Sequence, residues 1–208
     1  MNQTNPLVIT ISRQLGSGGA YIGHQLAKRL SIFYADREII TETARELSLM
    51  EKDVETEDEK VESFWKTFLR YNVSAPDVYI PASYKFSPAS EQIFETEAKV
   101  IKRIAYDSSS VIIGRCGFDI LRNHPNKVSI LLYGDAETRI KRIQEVRQLS
   151  EIDARKTVLQ NDKDRELYII SFTKLKWMDA RNFDLCIDTG KISFDKSVEL
   201  IISYLNLR

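Results

Sequence analysis

The sequence predicts an α/β fold: a central five-stranded parallel sheet between two layers of helices, in a single domain of 208 residues. Three observations predict it. Short apolar runs recur near Leu7, Ile32, Ser110, Val128 and Leu185, the first of them rich in β-branched residues. Runs with apolar residues at helical spacing alternate with them. The first apolar run also passes directly into a glycine turn, Gly16-Ser-Gly-Gly19, the layout of a strand-to-helix junction that cradles phosphate.

Taken in order, Leu7–Ile11 is the first strand, and Ile22, Leu26 and Leu30 mark one face of the first helix. Ile32–Tyr34 forms a second strand that ends at Asp36, and residues 37–49 read as a helix with Ile40, Ala44 and Leu47 on one side. Charge density peaks from Glu51 to Lys60, the pattern of a solvated face or a connection rather than an acidic binding patch. Phe64, Trp65 and Phe68 follow. A proline-punctuated stretch from Ala75 to Pro88 then reads as a loop or short-helix insertion.

Glu91–Tyr106 has Phe94, Ala98, Ile101 and Ala105 on one helical face, and Ser110–Ile113 is a third strand running into Gly114-Arg115. Val128–Tyr133 is the fourth strand, with Asp135 placed to cap the helix that runs to Val146. Residues 147–181 are charged, rich in Lys and Arg, and helical in pattern. Leu185–Ile187 is the fifth strand, and Phe194, Val198, Ile201 and Leu205 mark a closing helix.

Composition narrows the function classes. A hydrophobic content of 43% supports a real core. Thirty basic residues balance thirty acidic ones, which disfavours a nucleic-acid binder that works through a broad positive field. Cys116 and Cys186 lie far apart in apolar contexts, a pattern of neither a structural disulfide nor a zinc site. Pro6 precedes a five-residue apolar strand rather than a secretory core, and no apolar run approaches the ~20 residues of a membrane span. The expectation is a cytoplasmic protein with small-molecule partners, no nucleic acid and no membrane. Oligomeric state is left open.

The glycine turn carries the strongest chemical signal. Backbone N–H groups at a helix start, with the positive end of the helix dipole, attract anions, and glycines let oxygens approach them. Gly16, Ser17, Gly18, Gly19 and Ala20 occupy those positions. A tight turn that needs positive φ would use the same residues. Three glycines in four residues beside Arg13 favour phosphate.

The order of motifs resembles the cytidylate kinase-like branch of the P-loop nucleoside monophosphate kinases. The matching stretches are Ile9–Gly19, Phe33–Ile39, Val111–Arg115, Val128–Leu132, Asp162–Arg165 and Phe183–Thr189. Together they span most of the chain outside about 50–90. The resemblance implies a three-layer P-loop fold, an acceptor-binding insertion at about 50–90, and an arginine-rich lid with its following helix at about 147–181. It implies transfer of the γ-phosphate of ATP to a nucleoside monophosphate such as CMP, with Mg²⁺. Gly16–Ala20 would bind ATP phosphates and Arg115 would grip the acceptor phosphate. Arg165, with Arg155 beside it in the lid, would neutralise transferred charge. Asp36, at a strand end, suits orienting the acceptor or a metal-bound water, or simply capping the next helix, and Asp164 is placed with Asp36 on the substrate side.

Three departures from the usual kinase pattern bear on activity, and the resemblance implies that they are traits of this branch. Aligned on Gly18, the pattern G-x-x-x-x-G-K-[ST] puts Gly19 at the lysine and Ala20 at the metal-holding hydroxyl, with Tyr21 next. Ile113 stands where related kinases often have a metal-shell aspartate. The metal ligands are therefore left unassigned, and Arg13 is the local cation able to replace the lysine. Trp65, Tyr79, Tyr84 and Phe86 suit either base stacking or the insertion's own packing. His24, His124 and Cys116 read as packing residues. Three functions stay open: a nucleoside monophosphate kinase, a catalytically weak nucleotide sensor on the same scaffold, and a kinase of another small metabolite.

Overall fold

The computed structural model describes residues 5–36 and 88–208. Its strands are β1 (Val8–Arg13), β2 (Phe33–Ala35), β3 (Ser110–Ile113), β4 (Lys127–Tyr133) and β5 (Leu185–Asp188). Its helices are α1 (Gly19–Leu30), α2 (Pro88–Asp107), the single turn α3 (Gly117–Ile120), α4 (Ala136–Arg147), α5 (Glu151–Thr173) and α6 (Phe194–Asn206). All strand pairs are parallel, in the order β2-β3-β1-β4-β5. The α/β fold with a five-stranded parallel sheet is thus as expected. Residues 37–87, including the helix at 37–49, the charged run and nearly all of the acceptor insertion, lie outside the described residues.

A parallel sheet needs cover on both faces, and alternation along each strand supplies it. On one face Ile9, Ile11, Val111, Ile113, Val128, Ile130 and Leu132 pack against Ile22 and Leu26 of α1 and Val198 and Ile201 of α6. On the other, Val8, Phe33, Ala35 and Ile112 meet Val100, Ile101, Ile104 and Ala105 of α2. Each fully buried Ile or Leu contributes about 1.5–3 kcal/mol to this core.

β1 runs two residues past the expected Ile11, because Ser12 and Arg13 still pair with Leu131 and Leu132 of β4. Arg13 is therefore a strand residue with a fixed backbone, rather than part of the loop. The stripe that α2 buries also differs from expectation. It includes Glu97, at 1% exposure, beside Val100, Ile101 and Ile104, while Ala98 is only half-buried.

The charged region 147–181 resolves into one long helix with clear ends. Gln148 is left-handed after α4, Ser150 caps α5 by accepting from the Asp153 N–H, and left-handed Lys174 stops it. Ala154 and Val158 pack with Leu15, Ile140 and Ile143, holding α5 against α4. Further along, Tyr168 and Ile169 join Cys116, Phe118 and Trp177 in a mostly aromatic cluster. Trp177 Nε1 donates to Ser12 Oγ at 3.0 Å, tying the segment after α5 to β1.

Candidate functional site

Because every strand is parallel, β1, β2, β3 and β4 all end at one edge, where open α/β sheets bind ligands. Those ends lead into the glycine turn, Asp36, Gly114-Arg115 and Gly134-Asp135 respectively.

The glycine turn leaves β1 through Gln14, whose N–H donates to Leu132 O, and it closes with Ser17 N–H and Oγ both donating to Gln14 O. Gly16 and Gly18 are left-handed, with φ of 82° and 77°. Each also abuts a neighbour. A Cβ on Gly16 would lie 2.8 Å from Arg139 O, and one on Gly18 2.5 Å from the Phe194 ring. Gly18 is the N-cap of α1 and, having no side chain, cannot cap it; no side-chain cap is found among the described residues. Its first N–H groups are thus left for a ligand. Ala20 brings only a methyl group. Tyr21 turns away and donates its hydroxyl to Asp195 of α6 at 2.8 Å, a bond that raises the phenol above its ordinary value.

Arg139 and Arg142 brace the outside of this turn. Arg139 is buried and donates to Gly134 O at 2.9 Å and Leu15 O at 3.3 Å, and forks onto Asp162 at 3.2 and 2.9 Å. Burial pushes the Asp162 carboxyl up, and Arg139 opposes that. Gln14 bridges the same group, donating to Asp162 at 3.3 Å and accepting from Gly134 N–H at 3.2 Å. Arg142 donates to Gly16 O at 3.2 Å and Thr189 O at 2.6 Å, and its guanidinium lies 4.6 Å from the Phe194 ring centre.

Arg13 and Arg165 meet at the base of the turn. The Arg13 side chain runs over Gly19 and ends against Gly114, with its Nε buried and unpartnered among the described residues. Arg165, on α5, donates to the Arg13 carbonyl. Arg115 follows Gly114 and forms a buried ion pair with Glu97 of α2. The Tyr168 ring sits under Arg115 at 5.2 Å, and the Tyr168 hydroxyl reaches Glu97 at 3.4 Å. Gly114, Arg115 and Cys116 all have positive φ, a left-handed bend that turns the chain from β3 into α3. Burial pushes the Cys116 thiol well up, so it stays protonated and packs as an apolar group.

Arg13, Arg115 and Arg165 are thus brought to one end of the sheet with Gly16–Ala20. Asp36 is buried at the end of β2, two strands away from β1. Arg155 is not brought there. It lies ten residues before Arg165 on α5, about 15 Å along the axis, in exposed pairs with Glu137 and Glu151. Asp164 is half-buried and accepts from Gln160, a turn earlier on α5.

The donor set suits an anion. Among the described residues no group of three His, Cys, Asp or Glu side chains could hold a metal, and Ser17, fully buried, turns back onto Gln14. The family model of the cytidylate kinase-like family matches residues 8–191.

The chain belongs to the cytidylate kinase-like family.

No match was found among curated proteins. Among solved structures, an uncharacterized protein from Eubacterium ventriosum ATCC 27560 is 27% identical, with a TM-score of 0.73 over 97% of this chain and 99% of its own. A gluconokinase from Sinorhizobium meliloti 1021 is 12% identical, with a TM-score of 0.53 over 97% and 92%. A shikimate kinase from Bacteroides thetaiotaomicron is 10% identical, with a TM-score of 0.50 over 96% and 98%. The last two share the fold of P-loop kinases with this cytidylate kinase-like chain. No helix among the described residues is long and apolar enough to cross a membrane.

The sequence pattern did not single out Glu97, Arg139, Arg142, Tyr168 or Trp177. Spacing offered a signal for two of them: Asp135, Arg139 and Arg142 fall at i, i+4 and i+7, one helical face. Glu97 offered none, since a lone carboxylate in a helical run reads as solvent-facing.

Proposed function

We propose that this cytidylate kinase-like protein is an ATP-dependent phosphotransferase whose acceptor is a nucleoside monophosphate, CMP-like in its base. The observation that supports this most is the convergence of Arg13, Arg115 and Arg165 beside an uncapped, glycine-lined helix start. In this reading the N–H groups of Gly16–Ala20 hold the donor phosphates. Arg115 exchanges its Glu97 partner for the acceptor phosphate, which its planar fork binds bidentately. Arg13 and Arg165 neutralise charge that builds on the transferred group, so rate comes from positioning and preorganised charge, without a covalent protein intermediate. Mg²⁺ bound with ATP would supply further phosphate neutralisation. The described residues offer it no cluster of three His, Cys, Asp or Glu side chains. Asp36 is assigned to acceptor orientation. Arg155 and Asp164 are retained as peripheral members on the substrate side. A cytoplasmic location goes with such substrates.

A coupled ADP-release assay across CMP, dCMP, UMP, AMP and GMP tests this. Turnover that depends on one of these acceptors supports it, and none with either Mg²⁺ or Mn²⁺ sinks it.

Two features favour a second reading, a nucleotide sensor. Gly19 and Ala20 replace the lysine and hydroxyl of the phosphate loop, and loss of that charge costs several kcal/mol of transition-state stabilisation unless another cation takes over. Calorimetry that shows ATP binding, together with no acceptor-dependent turnover, would select it. Extending the acceptor panel to sugar acids and other small hydroxylated metabolites tests the third reading, a kinase of another metabolite.

A further inference from the structure

The absence of lysine at position 19 has a structural cause. Gly19 is the first residue of α1 and is buried. Unlike Gly16, Gly18 and Gly114, it does not have a positive φ. The backbone there accepts any residue, and glycine is among the poorest helix formers. Space is what excludes a side chain. A Cβ on Gly19 would lie 2.5 Å from Arg13 Cγ, 2.9 Å from Arg13 Cβ and 3.3 Å from Arg13 Cδ. The Cβ is fixed by a backbone held in register with Leu132, and Cγ and Cδ clear the space only if Arg13 leaves this side-chain conformation.

At the far end, Arg13 Nη1 lies 2.1 Å from where a Gly114 Cβ would be. The side chain therefore lies in a trough floored by two glycines. Arg115, Arg139 and Arg155 each hold a carboxylate, whereas Arg13 holds none among the described residues, and its buried Nε has no acceptor there. An unmatched buried N–H is costly, and an incoming phosphate oxygen would satisfy it.

Building on the phosphate reading of the turn, we propose that Arg13 supplies, from the end of β1, the cation that a phosphate-loop lysine supplies from the helix start. Gly19 and Gly114 are its seat. Arg13 and a side chain at 19 are mutually exclusive, so Gly19→Lys damages the site instead of restoring it. The ligand class is the polyphosphate of a nucleoside triphosphate.

The test combines Arg13→Ala, Arg13→Met, Gly19→Ala and Gly19→Lys. Without nucleotide, Gly19→Ala lowers the urea midpoint in the parent chain and does so far less in the Arg13→Ala background. Equal losses in both backgrounds overturn the steric coupling. In calorimetry with ATP and Mg²⁺, Arg13→Met keeps the aliphatic stem and the fold but weakens binding roughly tenfold or more, as loss of a charge-assisted hydrogen bond requires. Gly19→Lys weakens binding as well, and Gly19→Lys with Arg13→Ala binds more tightly than Gly19→Lys alone. Binding unaltered by Arg13→Met, or tightened by Gly19→Lys alone, overturns the inference while leaving the proposed function standing. A parent chain that does not bind ATP defeats both.

Discussion

Glu97 and Arg115 pair across α2 and the end of β3 with side chains only 1% and 7% exposed. Each ion loses its water there, and their pairing offsets part of that loss. Glu97→Ala takes a charged partner from a buried guanidinium and is expected to cost about 3–5 kcal/mol in urea denaturation. Replacing both residues by methionine removes both desolvation costs and is expected to leave stability near that of the parent chain. A double variant as unstable as Glu97→Ala would show that the damage comes from packing rather than from the broken ion pair.

Gly18 is constrained twice, by its φ of 77° and by the Phe194 ring, which lies 2.5 Å from where a Cβ would sit. Gly18→Ala is expected to destabilise by about 2 kcal/mol or more. Adding Phe194→Ala relieves the contact but not the backbone, so a loss of about 1–2 kcal/mol attributable to the left-handed geometry remains after correction for Phe194→Ala alone. Full recovery in the double variant would rule out the backbone component.

Arg139 is an anchor through geometry as much as charge. Its fork spans Asp162 while Nε reaches Gly134 O at 2.9 Å. Lysine keeps the charge but not the fork. Arg139→Lys is expected to cost about 2–3 kcal/mol, measured by thermal or urea unfolding. A near-neutral result would reduce Arg139 to a point charge.

His124 is buried and held neutral. Nδ1 accepts from Asn126 N–H at 3.3 Å, so Nε2 carries the proton and donates to Ala105 O at 3.2 Å. Burial depresses its pKa, the Ala105 carbonyl partly opposes that, and Lys127 adds a small push downward. Below about pH 6.5 the unfolded chain binds a proton that the native chain resists, so stability falls as pH drops from there towards the depressed native value. The urea midpoint of the parent chain should therefore fall between pH 7 and pH 5 by more than that of His124→Gln. Parallel profiles would show that His124 does not contribute.

The fold was legible because its signals are local. Short apolar runs marked all five strands, and Asp135, which accepts from Thr138 N–H at 2.9 Å, marked the start of α4. The glycine turn was legible for the same reason. Glu97 was not, because its burial depends on Arg115, eighteen residues later in the chain. The seat of Arg13 was equally hidden: Gly19 and Gly114 are ninety-five positions apart and meet only through a third side chain. The separation of Arg155 from Arg165 is a matter of helix length, which charge content does not reveal.

Three side chains of α5, at positions 162, 165 and 168, face Arg139, the Arg13 carbonyl and Arg115 in turn. One residue added or deleted between Glu151 and Asn161 would rotate all three by about 100° and uncouple them together. Changes after Lys174 would spare them. Length changes beyond α5 act instead on the Trp177 anchor to Ser12, so indels at this end of the molecule should be partitioned between two separate consequences.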